Sequence, residues 1–143
     1  MTKSEFLNKY GKEHIIVYIG YELQKSGLFR SKSVAEPEPG KYMIPLRHSE
    51  IYIDEMLFTS SYDHPFACFD VGPGMHKLEI WSEFAGMQFT TDARPARVRD
   101  SGSVMIAVKF VYFNGTVYRF IKEFTDIDEF IDYTGNRMAF AGL

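Results

Sequence analysis

The pair Asn114-Gly115 constrains the fold of this chain more than any other short feature of its sequence. It separates two runs rich in β-branched and aromatic residues, Val104–Phe113 and Thr116–Phe124. Asn-Gly readily adopts the two positive φ angles of a type I′ turn, the turn that joins the strands of a tight β-hairpin. Both faces of the first run are largely apolar, so we expect this strand to be covered on both sides. The sequence therefore predicts a strand-dominated fold with this hairpin at its centre.

Shorter strand patterns, separated by turn signals, precede the hairpin. We expect strands at residues 14–21, 42–46, 50–53, 66–71 and 75–83, and a surface strand at 88–93 that Pro95 interrupts. Asp54-Glu55 is either a two-residue turn before a further strand or part of one continuous strand, because Glu disfavours positive φ. Residues 22–41 are rich in Ser, Lys, Pro and Glu and predict a long exposed loop.

Helical patterns occur only near the two ends of the chain. Helices are expected at about 3–12 and 126–133, the second capped by Asp126 with Glu129 completing a capping box. Residues 134–143 have no interpretable period. The whole pattern predicts a mainly β protein, an antiparallel β-sandwich of about seven strands with short N- and C-terminal helices. We expect a single domain over residues 1–143, with its β core at about 14–124 and the helices as accessories.

Composition agrees with this fold and narrows the classes of function. Aromatic residues make up 16% of the 143 residues, and such side chains pack well on sheets. The net charge of −3 disfavours nucleic-acid binding, which usually requires a basic domain. A single cysteine cannot form an internal disulfide, and neither a signal-peptide pattern nor an apolar run of membrane-spanning length is present. We therefore expect a cytoplasmic protein that binds neither nucleic acid nor membrane; its oligomeric state stays open.

The middle of the chain resembles a known family. The segments Ile51-Tyr-Ile-Asp54, Phe69-Asp-Val-Gly-Pro-Gly-Met-His76 and Leu78-Glu-Ile-Trp-Ser82, followed by Asp100-Ser-Gly-Ser-Val104, are similar to the PEGA-type bacterial sandwich domains. Glu55 stands where that family has a turn glycine, and the family's usual signal or lipid anchor is missing. The resemblance covers about residues 14–124. It implies a transthyretin-like sandwich used for binding or scaffolding, with no catalytic residues to carry over.

The residue types that carry catalysis or bind metals are scattered along the sequence. Cys68 lies within an apolar strand pattern without a neighbouring positive charge, which is typical of a buried, unreactive cysteine. The histidines lie on different predicted elements, and the nearest approach is that of Asp63 and His64 to His76, which can converge across one hairpin. Most of the acidic residues at 123–132 are explained by the dipole of the second helix, which negative charge in its first turn complements. We therefore assign no catalytic residue, no metal ligand and no cofactor.

Four residues are candidates for binding. Trp81 lies on the otherwise charged face of its strand, and Phe84 follows it. Tryptophan is favoured at protein interfaces. Arg97 and Arg99 share one face of an extended segment, where they can grip a carboxylate or phosphate or simply protect a sheet edge from pairing. We expect them to be rim charges around Trp81 and Phe84.

Three hypotheses about function follow. The first is a non-catalytic protein–protein interaction module, such as an adaptor, immunity-like or assembly protein, with another protein as its partner. The second is a β-sandwich that binds a small molecule in an apolar cleft. The third is a hydrolase whose site assembles only in three dimensions. The first is the prediction, because aromatic residues are plentiful and no catalytic pattern is recognisable.

Overall fold

In the computed structural model the chain is mainly β, with two sheets and two short helices. The structure describes residues 3–10, 15–24, 34, 36–37, 44–45, 49–59, 66–84, 87–91, 93–100 and 102–135. The elements are α1 (Lys3–Tyr10), β1 (Ile15–Gln24), β2 (Ile44–Pro45), β3 (Ser49–Ile53), β4 (Met56–Thr59), β5 (Phe66–Phe69), β6 (Gly74–Phe84), β7 (Met87–Thr90), β8 (Arg94–Val98), β9 (Val104–Phe113), β10 (Thr116–Phe124) and α2 (Ile127–Thr134).

The first sheet is built around β1 and β9. These two strands run parallel and pair along their whole length, from Ile15 opposite Val104 to Gln24 opposite Phe113. The other edge of β1 pairs antiparallel with β5 near its start and with β2 near its end. β10 pairs antiparallel with β9 and forms the outer strand, so β9, the first strand of the predicted hairpin, is central and β10 is not.

The second sheet has the same plan around β6. One edge of β6 pairs with β3, which pairs in turn with β4. The other edge pairs with β8 near the start of β6 and with β7 near its end. All of these pairings are antiparallel.

The main core lies between the two sheets. Alternate residues of β1 and β9 point into it and meet residues of β3, β6, β7 and β8. Phe89 is completely buried there, with its ring centroid 5.1 Å from that of Tyr21 and 5.6 Å from that of Phe110, both edge to face. This geometry suits aromatic quadrupoles, so Phe89 joins the two sheets directly.

The helices cover the opposite face of the first sheet. Phe6 of α1 and Phe130 of α2 pack edge to face, 6.2 Å apart, over the buried side chains of Met105 and Ala107. Asp126 caps α2 by accepting a hydrogen bond from the Glu129 amide at 3.0 Å, as predicted. The helices thus lie outside the main core, and together with the first sheet they form a second hydrophobic core. The molecule has three layers: helices, first sheet, second sheet.

Several expectations need correction. The described residues contain more strands than the seven expected, and the sandwich is not wholly antiparallel because β1 and β9 are parallel. Residues 22–24 continue β1 instead of beginning the 22–41 loop. Pro95 does not interrupt the sheet but lies within β8, which pairs only with β6 among the described strands. An edge strand tolerates proline where the missing N–H would point away from the neighbouring strand, because no strand hydrogen bond is lost there. The helices run from 3 to 10 and from 127 to 134.

Both tight turns are formed. Asn114 and Gly115 have φ of 48° and 80°, which confirms the predicted type I′ hairpin. Asp54 and Glu55 also form a two-residue turn, with φ of 53° and 71°, so the continuous strand is excluded. Glutamate is uncommon in this conformation, which costs a non-glycine residue about 1–2 kcal/mol.

Candidate binding surface

The face of the second sheet that points away from the core is the candidate site. Along β6, Leu78 and Ile80 are fully buried, whereas the alternating residues Lys77, Glu79 and Trp81 point to the other side. We call this side the outer face; it also carries Glu50 and Tyr52 of β3, Leu57 of β4, and Met75 and Glu83 of β6. Helices cover the corresponding face of the first sheet, but none of the described elements covers this one.

Large apolar side chains are exposed on the outer face. Trp81 is 47% exposed, Leu57 52% and Met75 63%. Single exposed apolar residues are ordinary, whereas a contiguous apolar patch is typical of an interaction surface. Met75 lies six residues along β6 from Trp81, so the candidate patch is the end of the face that carries Trp81. Trp81 lies on this face as the alternation of β6 predicts.

A shallow depression of about 370 Å³ lies in the outer face and is lined by Glu50, Tyr52, Glu55, Glu79 and Trp81. Glu50 lies directly opposite Trp81, and Tyr52 directly opposite Glu79. The Tyr52 hydroxyl donates a hydrogen bond of 2.6 Å to Glu50 Oε2, and this bond is the main reason that the pKa of Tyr52 is raised. The depression therefore places two aromatic rings among three carboxylates.

The turn that carries Glu55 is held by His76. The Asp54 carboxylate contacts His76 Nδ1 at 2.6 Å and accepts a bond of 2.9 Å from the Lys77 amide. His76 Nε2 donates to the Gly72 carbonyl at 2.6 Å. A carboxylate and a carbonyl can only accept, so the ring makes both hydrogen bonds at once only when it is protonated, with both nitrogens donating. The bond to Asp54, then that to Gly72, raises the pKa of His76, and the bond from His76 lowers the pKa of Asp54.

The predicted site residues do not all meet. Phe84 ends β6, where it pairs with Met87, and its side chain is outside the described part of the structure. Arg97 pairs with Met75 in the register of β6 and β8, six residues along β6 from Trp81. At 3.3 Å per residue this is roughly 20 Å. Arg97 therefore does not form the rim of the depression around Trp81.

Arg97 and Arg99 line a different cavity. Both are exposed, and together with Gly102, Ser103, Glu123 and Thr125 they surround a volume of about 360 Å³ at the border of β8, β9 and β10. The Glu123 carboxylate accepts a hydrogen bond of 2.9 Å from Arg94. Among the described strands β8 pairs only with β6, so Arg97 within β8 and Arg99 just after it also fit the expectation of a charged edge that resists pairing.

Lys109 was not among the candidates predicted from sequence. This residue lies on the helix side of β9 and is completely buried. Its Nζ donates to the Pro37 carbonyl at 3.2 Å and lies 3.6 Å from the centre of the Tyr133 ring, while the Tyr133 hydroxyl bonds to Glu36. Burial lowers the pKa of Lys109 to about 8. The signal was a single lysine in an otherwise apolar strand.

Other candidates are placed only in part. Cys68 lies in β5 opposite Ile16, but its side chain is not among those that the structure describes. Asp63 and His64 lie outside the described residues, and so does their predicted approach to His76. Among the described residues, no group of three or more His, Cys, Asp or Glu is placed to hold a metal ion. Neither described helix has the length and hydropathy needed to cross a bilayer.

Comparison with known proteins gave no match, since no protein-family model, curated protein or solved structure is significantly similar to this chain. The resemblance to PEGA-type domains stays a prediction.

Proposed function

We propose that this protein is a binding module without catalytic activity, which captures another protein through the outer face of the second sheet. Adaptor, immunity-like and assembly proteins are the classes that act in this way. The face offers a flat surface with exposed aromatic and aliphatic side chains at its centre and charged residues around them. Interfaces commonly combine an aromatic centre with a polar rim.

The exposure of Trp81 carries this proposal. It is the only tryptophan of the chain, and nearly half of its surface is exposed on an open sheet face. Burying an aromatic side chain stabilises a protein by several kcal/mol, so a tryptophan that contributes little to the core is better explained by a contact with a partner. Tryptophan is also among the residues that most often dominate binding energy at interfaces.

Two of the titratable groups with shifted pKa values, His76 and Lys109, are engaged in contacts within the fold, which favours binding over bond-making. His76 uses both ring nitrogens in hydrogen bonds to Asp54 and Gly72, so neither is available to accept a proton from a substrate. Lys109 is fully buried and in contact with Pro37 and Tyr133, away from the outer face. His76 holds the turn at Asp54-Glu55, and Lys109 is enclosed within the fold.

The test is partner capture by the wild-type protein and two variants. Trp81→Ala removes the aromatic ring at the centre of the outer face, and Tyr118→Ala removes an aromatic ring that is 38% exposed on β10 of the other sheet. Affinity capture from native lysate, read by quantitative mass spectrometry, should show one stoichiometric partner with wild-type protein and Tyr118→Ala. Trp81→Ala should lose it while the circular-dichroism spectrum stays unchanged. Equal capture by all three proteins contradicts the proposal.

A further inference from the structure

The outer face carries an excess of negative charge. Among the described residues, four carboxylates lie on it or at its edge, those of Glu50, Glu55, Glu79 and Glu83. Two cations accompany them: Lys77, and Arg97, which lies opposite Met75 at the other end of β6 from Trp81. Lys77 Nζ is 2.9 Å from Glu55 Oε1 and 3.6 Å from Glu79 Oε1, so one ammonium is shared by two of them. The remaining charge is concentrated beside the exposed ring of Trp81, since Glu50 is its cross-strand neighbour.

Charge and aromatic surface alternate within the depression. Residues directly opposite on antiparallel strands have Cβ atoms roughly 5 Å apart. Glu50 therefore flanks the Trp81 ring, and Glu79 flanks the Tyr52 ring. The Tyr52 hydroxyl bonds one oxygen of Glu50 and fixes the position of that carboxylate. An aromatic face with fixed carboxylates beside it is suited to a cation, because the ring quadrupole and the carboxylates both attract positive charge.

We propose that this depression binds an arginine side chain of the partner protein, with the guanidinium stacked on Trp81 and hydrogen-bonded to Glu50 and Glu79. This inference rests on the proposed function and names the chemistry of the partner. Guanidinium is planar, weakly hydrated and able to bond carboxylates in pairs while it stacks on a ring, and an ammonium lacks these properties. A second copy of this chain is a poor occupant, because pairing two outer faces would bring their carboxylates together.

Trp81 is a built-in reporter for the test, since it is the only tryptophan. The probes are short peptides of one length in which glycine alternates with arginine, lysine, citrulline or glutamate. Citrulline has the shape of arginine without its charge. The arginine peptide should change the Trp81 emission with a saturable dependence on concentration, and its affinity should fall steeply with added sodium chloride. The lysine peptide should bind more weakly, and the citrulline and glutamate peptides should leave the emission unchanged.

Variants locate the site on the protein. Glu79→Gln keeps the shape of the side chain and should weaken binding of the arginine peptide by about fivefold or more, as loss of one partner of a charged hydrogen bond does. Glu129→Gln removes one charge from the exposed side of α2, on the other side of the first sheet, and should leave the affinity unchanged. Equal binding of arginine and citrulline peptides, or equal losses in the two variants, overturns the inference.

The two proposals fail separately. If Trp81→Ala loses a stoichiometric partner but no arginine peptide perturbs Trp81, the arginine inference is wrong and the interaction surface stands. If the arginine peptide binds with the expected charge dependence but Trp81→Ala captures the same proteins as wild type, the cation site stands and its use in capturing the partner is wrong. Stronger binding of the lysine peptide than of the arginine peptide also contradicts the inference, because an ammonium cannot stack on Trp81 as a guanidinium does.

Discussion

Replacing Lys109 by methionine should stabilise this protein at neutral pH, and the gain should shrink as the pH rises above 8. Methionine has a similar length and fits apolar gaps. In the wild-type protein, burial lowers the pKa of Lys109 from 10.5 to about 8. Below pH 8 the amine is charged in both states, and the folded state bears the unfavourable burial of that charge.

The magnitude follows from the shift. One pKa unit corresponds to 1.36 kcal/mol, so a decrease from 10.5 to about 8 destabilises the charged folded state by roughly 3 kcal/mol. Methionine also loses the hydrogen bond to the Pro37 carbonyl, which contributes about 1 kcal/mol, and the contact of the ammonium with the Tyr133 ring, which contributes about 1–2 kcal/mol. The expected net gain at pH 7 is therefore about 1 kcal/mol.

The sign of the pH dependence distinguishes this explanation from simple repacking. Between pH 8 and 10.5 the unfolded chain binds more protons at Lys109 than the folded one, so wild-type stability rises with pH. Glu36 and Glu22 raise the pKa of this amine and Lys122 lowers it, but burial dominates. The pKa of Tyr133 is raised by burial and then by its bond to Glu36. Above pH 10 the unfolded state releases this proton more readily than the folded state, so both proteins become less stable for this reason. Measurements should therefore stop at pH 10.

The assay is urea unfolding followed by circular dichroism at pH values from 7 to 10. Urea is uncharged and does not screen the interactions being measured. The free energy of unfolding of wild type should approach that of Lys109→Met as the pH rises. Lys3→Met is the matched control, because Lys3 is an exposed lysine of α1 and is not one of the charges that shift the pKa of Lys109. If the free energies of unfolding of wild type and Lys109→Met change with pH in parallel, the buried charge of Lys109 does not destabilise the fold and the reasoning is wrong.

Two smaller predictions concern the turn at Asp54-Glu55. Glu55→Gly should stabilise the protein by about 0.5–1 kcal/mol in the same urea assay, since it relieves the positive φ of 71°. The bond between His76 and Asp54 should stabilise the fold most between the ordinary pKa values of 3.8 and 6.5, because the pKa of His76 is raised and that of Asp54 is lowered. Its contribution is lost as the pH rises through the raised pKa of His76, so wild type should lose more melting temperature from pH 5 to 8 than His76→Gln does.

The elements that could be predicted from sequence are those set by neighbouring residues. Asn114-Gly115 fixes its own turn, and the turn fixes the register of β9 and β10. Period-2 alternation along β6 was enough to place Trp81 on an exposed face. Neither inference required knowledge of which strand, distant in sequence, pairs with β6 or with the hairpin.

The parts that could not be predicted depend on distant pairing. Nothing in residues 15–24 indicates that they pair in parallel with 104–113, because any apolar strand can pair with any other through its backbone. The companions of Trp81 were missed for the same reason, since Glu50 and Tyr52 reach it only through the pairing of β3 with β6. Arg97 was expected at the rim around Trp81, but β8 pairs with the other end of β6.

Glu55 affects both the stability of the fold and the proposed function. It lines the depression, and it has a positive φ that disfavours glutamate. Glycine suits its backbone better but brings no carboxylate. If the carboxylate helps to bind an arginine, Glu55→Gly should be more stable than wild type and bind the arginine peptide more weakly. Glu55→Gln separates the two effects, since it keeps the strained φ and loses only the charge. It should match wild type in stability and Glu55→Gly in affinity. A Glu55→Gly variant that is more stable and binds equally well would show that the strain has no connection with binding at this site.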